Sequence, residues 1–216
     1  MVNQKIAAKT YKHFSNLEGN QHIASEFALG KIIDFISKYK VKSVLELGIG
    51  IGSISFCVLE FFKEKNEMIK YIGTESNEFC LSVLPKYLKS NFSNIEIFNN
   101  LNDVSTDLKF QMVIIDGKDE NLLKIKELIS KNGIIIIEGD RQPQLKLIKS
   151  IFPKHLYVRL ISNRKNPNYG PFSSDDLIGG IQLIFINPTF NQKVNFTYNK
   201  VKTAILYRVR RLKNDK

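Results

Sequence analysis

Cysteine and histidine are scarce: the 216 residues contain two of the first and three of the second. Cys57 and Cys80 stand in no C-x-x-C or metal-ligand spacing and read as reduced core thiols. His13, His22 and His155 are isolated from one another and from every motif, so each reads as an ordinary surface or loop residue. No apolar run approaches the roughly 20 residues that span a bilayer, and Met1 to Lys5 opens no signal peptide. The expectation is a cytoplasmic chain, in which the sequons at Asn91 and Asn195 have no role. Internal repeats and low-complexity tracts are absent as well. Acids are outnumbered, 21 Asp and Glu against 32 Lys and Arg, for a net charge of +11. The length suits one α/β domain with extensions.

What is present is concentrated between residues 44 and 53. Val44-Leu45-Glu46-Leu47 reads as a short strand ending near an acid, followed by Gly48, Gly50 and Gly52 and then by Ser53 at the start of a helix. Glycines at alternate positions let a backbone take positive φ or approach a ligand closely, and the helix start offers unpaired N–H groups. A dinucleotide fingerprint, G-x-G-x-x-G, would need its third glycine at Ser53, where the chain has it one residue early. Glu46 would also sit badly beside a pyrophosphate and suits a cationic or amine-bearing ligand.

The pattern continues. Tyr71 to Asn77 reads as a second strand ending at Glu75 and Ser76, about 20 residues beyond the turn, where a carboxylate can hold a ribose diol. Ile95 to Phe98 forms a third strand followed by Asn99, Asn100 and Leu101. Phe110 to Gly117 forms a fourth, with Asp116 at its end, and Gly133 to Asp140 a fifth, ending in Glu138 and Asp140. Apolar stripes between them read as helices: Ile23 to Ile36, Ile54 to Phe62, Leu122 to Ile129, and a helix opened by Pro143. Pro85 should kink or restart the segment after Glu75. Strand and helix thus alternate from about residue 41 to 152, the mark of βαβ units. After Pro153 come strands from His155 to Ile161 and Gly180 to Ile186, with a loop from Ser162 to Gly179 between them.

The E-x-G-x-G-x-G turn and the acids that follow it resemble class I S-adenosylmethionine-dependent methyltransferases, over roughly Ser25 to Asn187 and closest to the catechol-type O-methyltransferases of small molecules. The resemblance implies a Rossmann-like three-layer α/β/α sandwich with a seven-stranded, mostly parallel sheet in the order 3-2-1-4-5-7-6, the last strand antiparallel. It implies S-adenosyl-L-methionine as cofactor, held by Glu46 at the methionine end, Gly48, Gly50, Gly52 and Ser53 at the turn, Glu75 and Ser76 at the ribose, Asn100 and Leu101 at the adenine, and Asp116 and Gly117 beside them. The chain departs from its relatives after the fourth and fifth strands: Asp116-Gly117-Lys118-Asp119 lacks a histidine and Glu138-Gly139-Asp140 lacks an asparagine.

Asp116, Asp119, Glu138 and Asp140 are expected to converge at the cofactor edge. There Asp116 or Asp140 acts as general base, or several carboxylates bind Mg²⁺, the metal-free reading being favoured. Residues 1–22 are expected to be an N-terminal segment able to act as a substrate lid, 23–190 the methyltransferase domain and 191–216 a basic amphipathic helix. Along that helix Tyr198, Val201, Ile205, Val209 and Leu212 form an apolar stripe among lysines and arginines, which can pack on the domain, form a homodimer, bind an acidic substrate, or lie on an anionic membrane. The leading function is O-methylation of a small-molecule or sugar-like acceptor. RNA methylation is the alternative favoured by charge, although no N-P-P-Y step follows the fourth strand, and an NAD-binding or non-catalytic cofactor-binding domain is the third.

Overall fold

The computed structural model describes residues 2–214. Its centre is a seven-stranded sheet in the order β3-β2-β1-β4-β5-β7-β6, formed by β1 (Ser43–Leu47), β2 (Lys70–Thr74), β3 (Glu96–Phe98), β4 (Phe110–Ile115), β5 (Ile129–Glu138), β6 (His155–Leu160) and β7 (Ile181–Ile186). Strand β1 pairs in parallel with β2 and β4, whereas β7 enters between β5 and β6 antiparallel to both. The order and the single reversed strand agree with the expectation.

Continuous apolar strands bury both faces of this sheet. Ile134 and Ile136 of β5 join one core with Val44, Met112, Leu183 and Phe185, while Ile135 and Ile137 join the other with Leu45, Leu47, Val113 and Ile184. The first layer is closed by α1 (Val2–Phe14), α2 (Glu26–Tyr39) and α3 (Ser53–Glu64), and the second by α5 (Ile125–Leu128) and α6 (Gln142–Ile151). Helix α1 adds Ile6, Ala7, Tyr11 and Phe14 to the main core. The first 22 residues therefore include a helix integral to the packing, and only the stretch after it, Ser15 to Ala24, reaches the site.

Three local expectations are corrected. The apolar residues 122–129 do not make one helix: a 3₁₀ turn (Leu122–Lys124) and a single turn of α5 precede β5, which already begins at Ile129. Pairing with β4 explains this, because Phe110 pairs with Ile129 and Met112 with Ile134, leaving the intervening residues as a bulge. Leu123, expected in the stripe, is 61% exposed. Helix α4 (Glu78–Leu88) runs through Pro85 without restarting, since one missing donor in its last turns leaves the rest of the ladder in place. Ile23 precedes the Ser25 cap of α2, whose side chain accepts from the Ala28 N–H, and so lies outside that helix. The last helix, α7 (Phe190–Asn214), packs along β6. Among the described residues no helix is long and apolar enough to cross a membrane.

Candidate active site

The parallel strands end on one edge, and the turns that follow them build a trough. Behind β1 the chain passes through Gly48, Gly50 and Gly52 at φ of 82°, 58° and 95°. At Gly48 the reason is contact: an added Cβ would meet the Gly117 Cα at 2.4 Å, so the turns after β1 and β4 touch backbone to backbone. At Gly50 the reason is open space, because nothing lies within 4 Å of where its Cβ would be. The bare backbone faces the trough there. Ser53 is buried, and its Oγ accepts a long bond (3.4 Å) from the Ala24 N–H, which draws the segment before α2 over the turn.

Glu75, just past β2, faces this turn. Its Oε2 accepts from the Gly50 N–H at 2.7 Å and its Oε1 from the N–H groups of Ser76 (2.9 Å) and Asn77 (2.8 Å). Glu46 behaves differently from the direct ligand contact expected. Its side chain points with Val44 towards the α2 and α3 layer, is fully enclosed, and lines none of the trough cavities. Tyr71 donates its hydroxyl to Oε2 at 2.6 Å, while Oε1 has no partner. Burial, with the charges of Asp116 and Glu75 nearby, pushes the Glu46 carboxyl well above the ordinary carboxylate range.

Three cavities share these walls. One of about 340 Å³ lies over the turn, bounded by Gly50, Glu75, Phe79, His22 and Asp116. A second, of about 570 Å³, lies beyond Glu75 among Ser76, Asn99, Asn100, Gly117 and Asp119. The third, of about 590 Å³, lies on the far side of Asp116 among His22, Ser25, Glu138, Arg141 and Asn166. In the second cavity the Asn100 amide is already engaged: it donates to Asp103 and accepts from the Asn102 N–H, capping a 3₁₀ turn (Leu101–Asp103). The Leu101 side chain is buried in the core, and its N–H donates to Asp119 Oδ2 at 3.0 Å.

The four acids expected to converge are separated. Asp119 turns to Leu101 at the far end of the trough. Gly139, at φ 71°, reverses the chain after β5, so that Glu138 stays on the wall while Asp140 points outwards. Asp140 is 58% exposed, bonded by Gln142 and 4.0 Å from Arg159. Only Asp116 and Glu138 meet, with Arg141 as their countercharge. Arg141 donates to Asp116 Oδ1 at 3.0 Å, to the Asp116 carbonyl and to the Glu138 carbonyl at 3.1 Å. Burial, with the charge of Glu138 beside it, pushes Asp116 well above the carboxylate range, and burial pushes Glu138 in the same direction, each against the pull of Arg141.

The donor set at this point is two carboxyls and a bonded guanidinium, unlike the oxygen-rich set a divalent cation takes. Among the described residues no three His, Cys, Asp or Glu side chains gather in a metal-holding group. His22, which the sequence presents as an ordinary surface or loop residue, lines two of the cavities, and Arg141 belongs to no motif of the sequence. No local pattern marks them, because their place depends on the segment before α2 and the turn after β5 folding over the same edge.

Sheet order, the single reversed strand and the ligand-side edge define the class I methyltransferase fold. No protein-family model matches the chain, and no curated protein matches it in sequence. Solved structures with this fold include an O-methyltransferase from Bacillus cereus in complex with SAH (11% identity, TM-score 0.58, covering 84% of this chain and 90% of that one). A second is TomG, an O-methyltransferase of tomaymycin synthesis from Streptomyces achromogenes in complex with SAM (10% identity, TM-score 0.57, 84% and 89%). A third is a candidate RNA methyltransferase from Pyrococcus horikoshii (16% identity, TM-score 0.57, 88% and 100%).

Proposed function

We propose that the chain is an S-adenosylmethionine-dependent methyltransferase that methylates a hydroxyl of a small-molecule acceptor. The observation that carries this reading is the bare Gly50 backbone, hydrogen-bonded to the Glu75 carboxylate, on the wall of a trough that ends at the Asp116–Glu138 pair. The residues fit the cofactor: Glu75 offers acceptors for a ribose diol, the cavity beyond it offers Ser76 and Asp119 to an adenine, and the open face over Gly50 admits the rest without a Cβ in the way. Glu46 lines no part of the trough, and a cation bound nearby would draw its buried carboxyl towards the charged form. When bound, S-adenosylmethionine supplies an electrophilic methyl group on a sulfonium.

The remaining work falls to the protein. The cavity beyond Asp116 would hold the acceptor, with His22, Ser25 and Asn166 as polar contacts, and position its oxygen for in-line attack. Asp116 takes the hydroxyl proton, and its burial, with Glu138 beside it, gives it a basicity above that of an ordinary carboxylate. Arg141 keeps the pair oriented. O-methyltransferases with this fold and bound SAH or SAM support the cofactor assignment by likeness. Calorimetry with S-adenosylhomocysteine and with NAD separates the readings: binding of the first is expected, and binding of NAD alone would overturn it. The net charge of +11 favours RNA as a second acceptor class, and radiolabelled methyl recovered in the RNA fraction of an extract would select it.

A further inference from the structure

Helix α7 packs on the domain mainly through polar side chains, with Phe196 as its apolar contact with the core. Gln192 donates to the Asn132 carbonyl at 2.9 Å, Thr203 to the Arg159 carbonyl at 2.9 Å, and Arg210 to Asn163 Oδ1 at 2.9 Å and to the Ser162 carbonyl. Asn195 is buried on the same side and accepts from Asn199 at 2.8 Å. The opposite side carries Phe190, Val194, Tyr198, Val201 and Ile205 at three- and four-residue intervals and Leu212 two turns further on, between 54% and 79% exposed. An ordinary surface helix is oriented the other way, apolar stripe on the core and polar face in water.

Charge decides what covers the stripe. Helix α7 contains no Asp or Glu and seven Lys and Arg: Lys193, Lys200, Lys202, Arg208, Arg210, Arg211 and Lys213. At 100° per residue, Lys193, Lys200 and Arg211 flank the stripe on one side and Lys202 on the other, while Arg208 lies along it. Lys193, Lys200, Lys202, Arg208 and Arg211 are exposed. A second copy would bring two acid-free basic helices together, and like charges oppose that. A nucleic acid would meet aliphatic side chains where phosphate contacts are needed. An anionic bilayer surface answers both features, taking the apolar residues below its headgroups and the cations among them.

We propose that α7 docks the protein on anionic lipid membranes, lying in the plane of the interface over about 37 Å of helix. Arg210 anchors the helix at Ser162 and Asn163, where the chain enters the loop that supplies Asn166 to the proposed acceptor cavity.

The test is flotation of the full chain with vesicles of equal parts phosphatidylcholine and phosphatidylserine, and with phosphatidylcholine alone. Binding to the anionic vesicles only, weakened by added salt, is expected. Val201→Asp with Ile205→Asp should lower the partition on the order of a hundredfold, and Lys200→Glu with Lys202→Glu should also lower it. Both variants should melt as the parent does and keep its affinity for S-adenosylhomocysteine, which makes this result independent of the proposed activity. No flotation, equal flotation with neutral vesicles, or unchanged partition of folded variants would overturn the proposal. So would a dimer dissolved by the aspartates, or binding of RNA in place of vesicles.

Discussion

Glu46 is a buried acid with one satisfied oxygen and one orphan, an arrangement that costs about 1–3 kcal/mol for the unpaired acceptor. The sign of its pH effect follows from the raised folded-state value: the native chain binds more protons than the unfolded one once pH exceeds the unfolded carboxyl value of about 4.3, so stability falls as pH rises from there towards the folded value. Glu46→Gln removes the titration. Thermal melts should therefore show the variant gaining on the parent as pH rises above about 4.3 and no such trend below it, and a parallel pH dependence of the two proteins would contradict the buried charge. Asp116 differs because it stands on the trough wall. Asp116→Asn should lower turnover by roughly 10²- to 10⁴-fold while S-adenosylhomocysteine still binds, and in the parent the rate should climb with pH through the raised value of the Asp116–Glu138 pair. Asp140→Asn should leave turnover within about twofold, since the side chain is turned to solvent beside Arg159. Equal losses in the two variants would mean that Asp140 reaches the acceptor.

The element that matters most is the turn between β1 and α3. Its three glycines differ in what they permit: Gly48 allows contact with Gly117, Gly52 clears Leu84 and Leu88, and Gly50 leaves the backbone bare. Gly50→Val places a β-branched side chain in that open space at φ 58°, a conformation costing about 1–2 kcal/mol for an L-residue. The fold should tolerate that cost because no neighbouring atom has to move. Calorimetry is expected to show loss of S-adenosylhomocysteine binding with a cooperative melt retained, and full affinity in the folded variant would displace the ligand from the turn. Elements with mixed signals behaved less simply. Leu122 to Ile129 carries a helical stripe, yet β-pairing opposite Phe110 claims Ile129, because a strand buried on both faces hides more apolar surface than another helical turn would.

At the scale of the whole molecule, α1 ties the N-terminal residues to the core. Tyr11 and Phe14 are 1% and 0% exposed, and α1 lies against both α2 and α3. Deleting residues 1–14 should therefore abolish or sharply lower the cooperative melt, the loss of two buried aromatics alone being worth several kcal/mol against a domain stability of about 5–15 kcal/mol. A truncated chain that melts as the full one does would make α1 an appendage to the domain. The Ser15 to Ala24 stretch, which puts Gly19, Gln21 and His22 on the cavity wall, depends on that anchorage.

The succession of strands and the cofactor edge were legible in residues 41–186 because each strand is a short apolar run closed by a turn or an acid, and a parallel sheet gathers those ends on one edge, whereas the order of the strands across the sheet came from the family resemblance. Local sequence thus determined the glycine turn and the acid, Glu75, at the end of the second strand; the reversed last strand was implied by the family resemblance alone. It could not determine which acids meet: Asp116 and Glu138 face each other because β4 and β5 are neighbours, whereas Gly139 turns Asp140 away and the Leu101 N–H draws Asp119 to the other end. The helical stripe of α7 was equally plain as a pattern, but a pattern does not say which side faces the sheet. Only the tertiary structure decided that, through the backbone carbonyls of Asn132, Arg159 and Ser162, which take hydrogen bonds from the polar side and leave the apolar side outside.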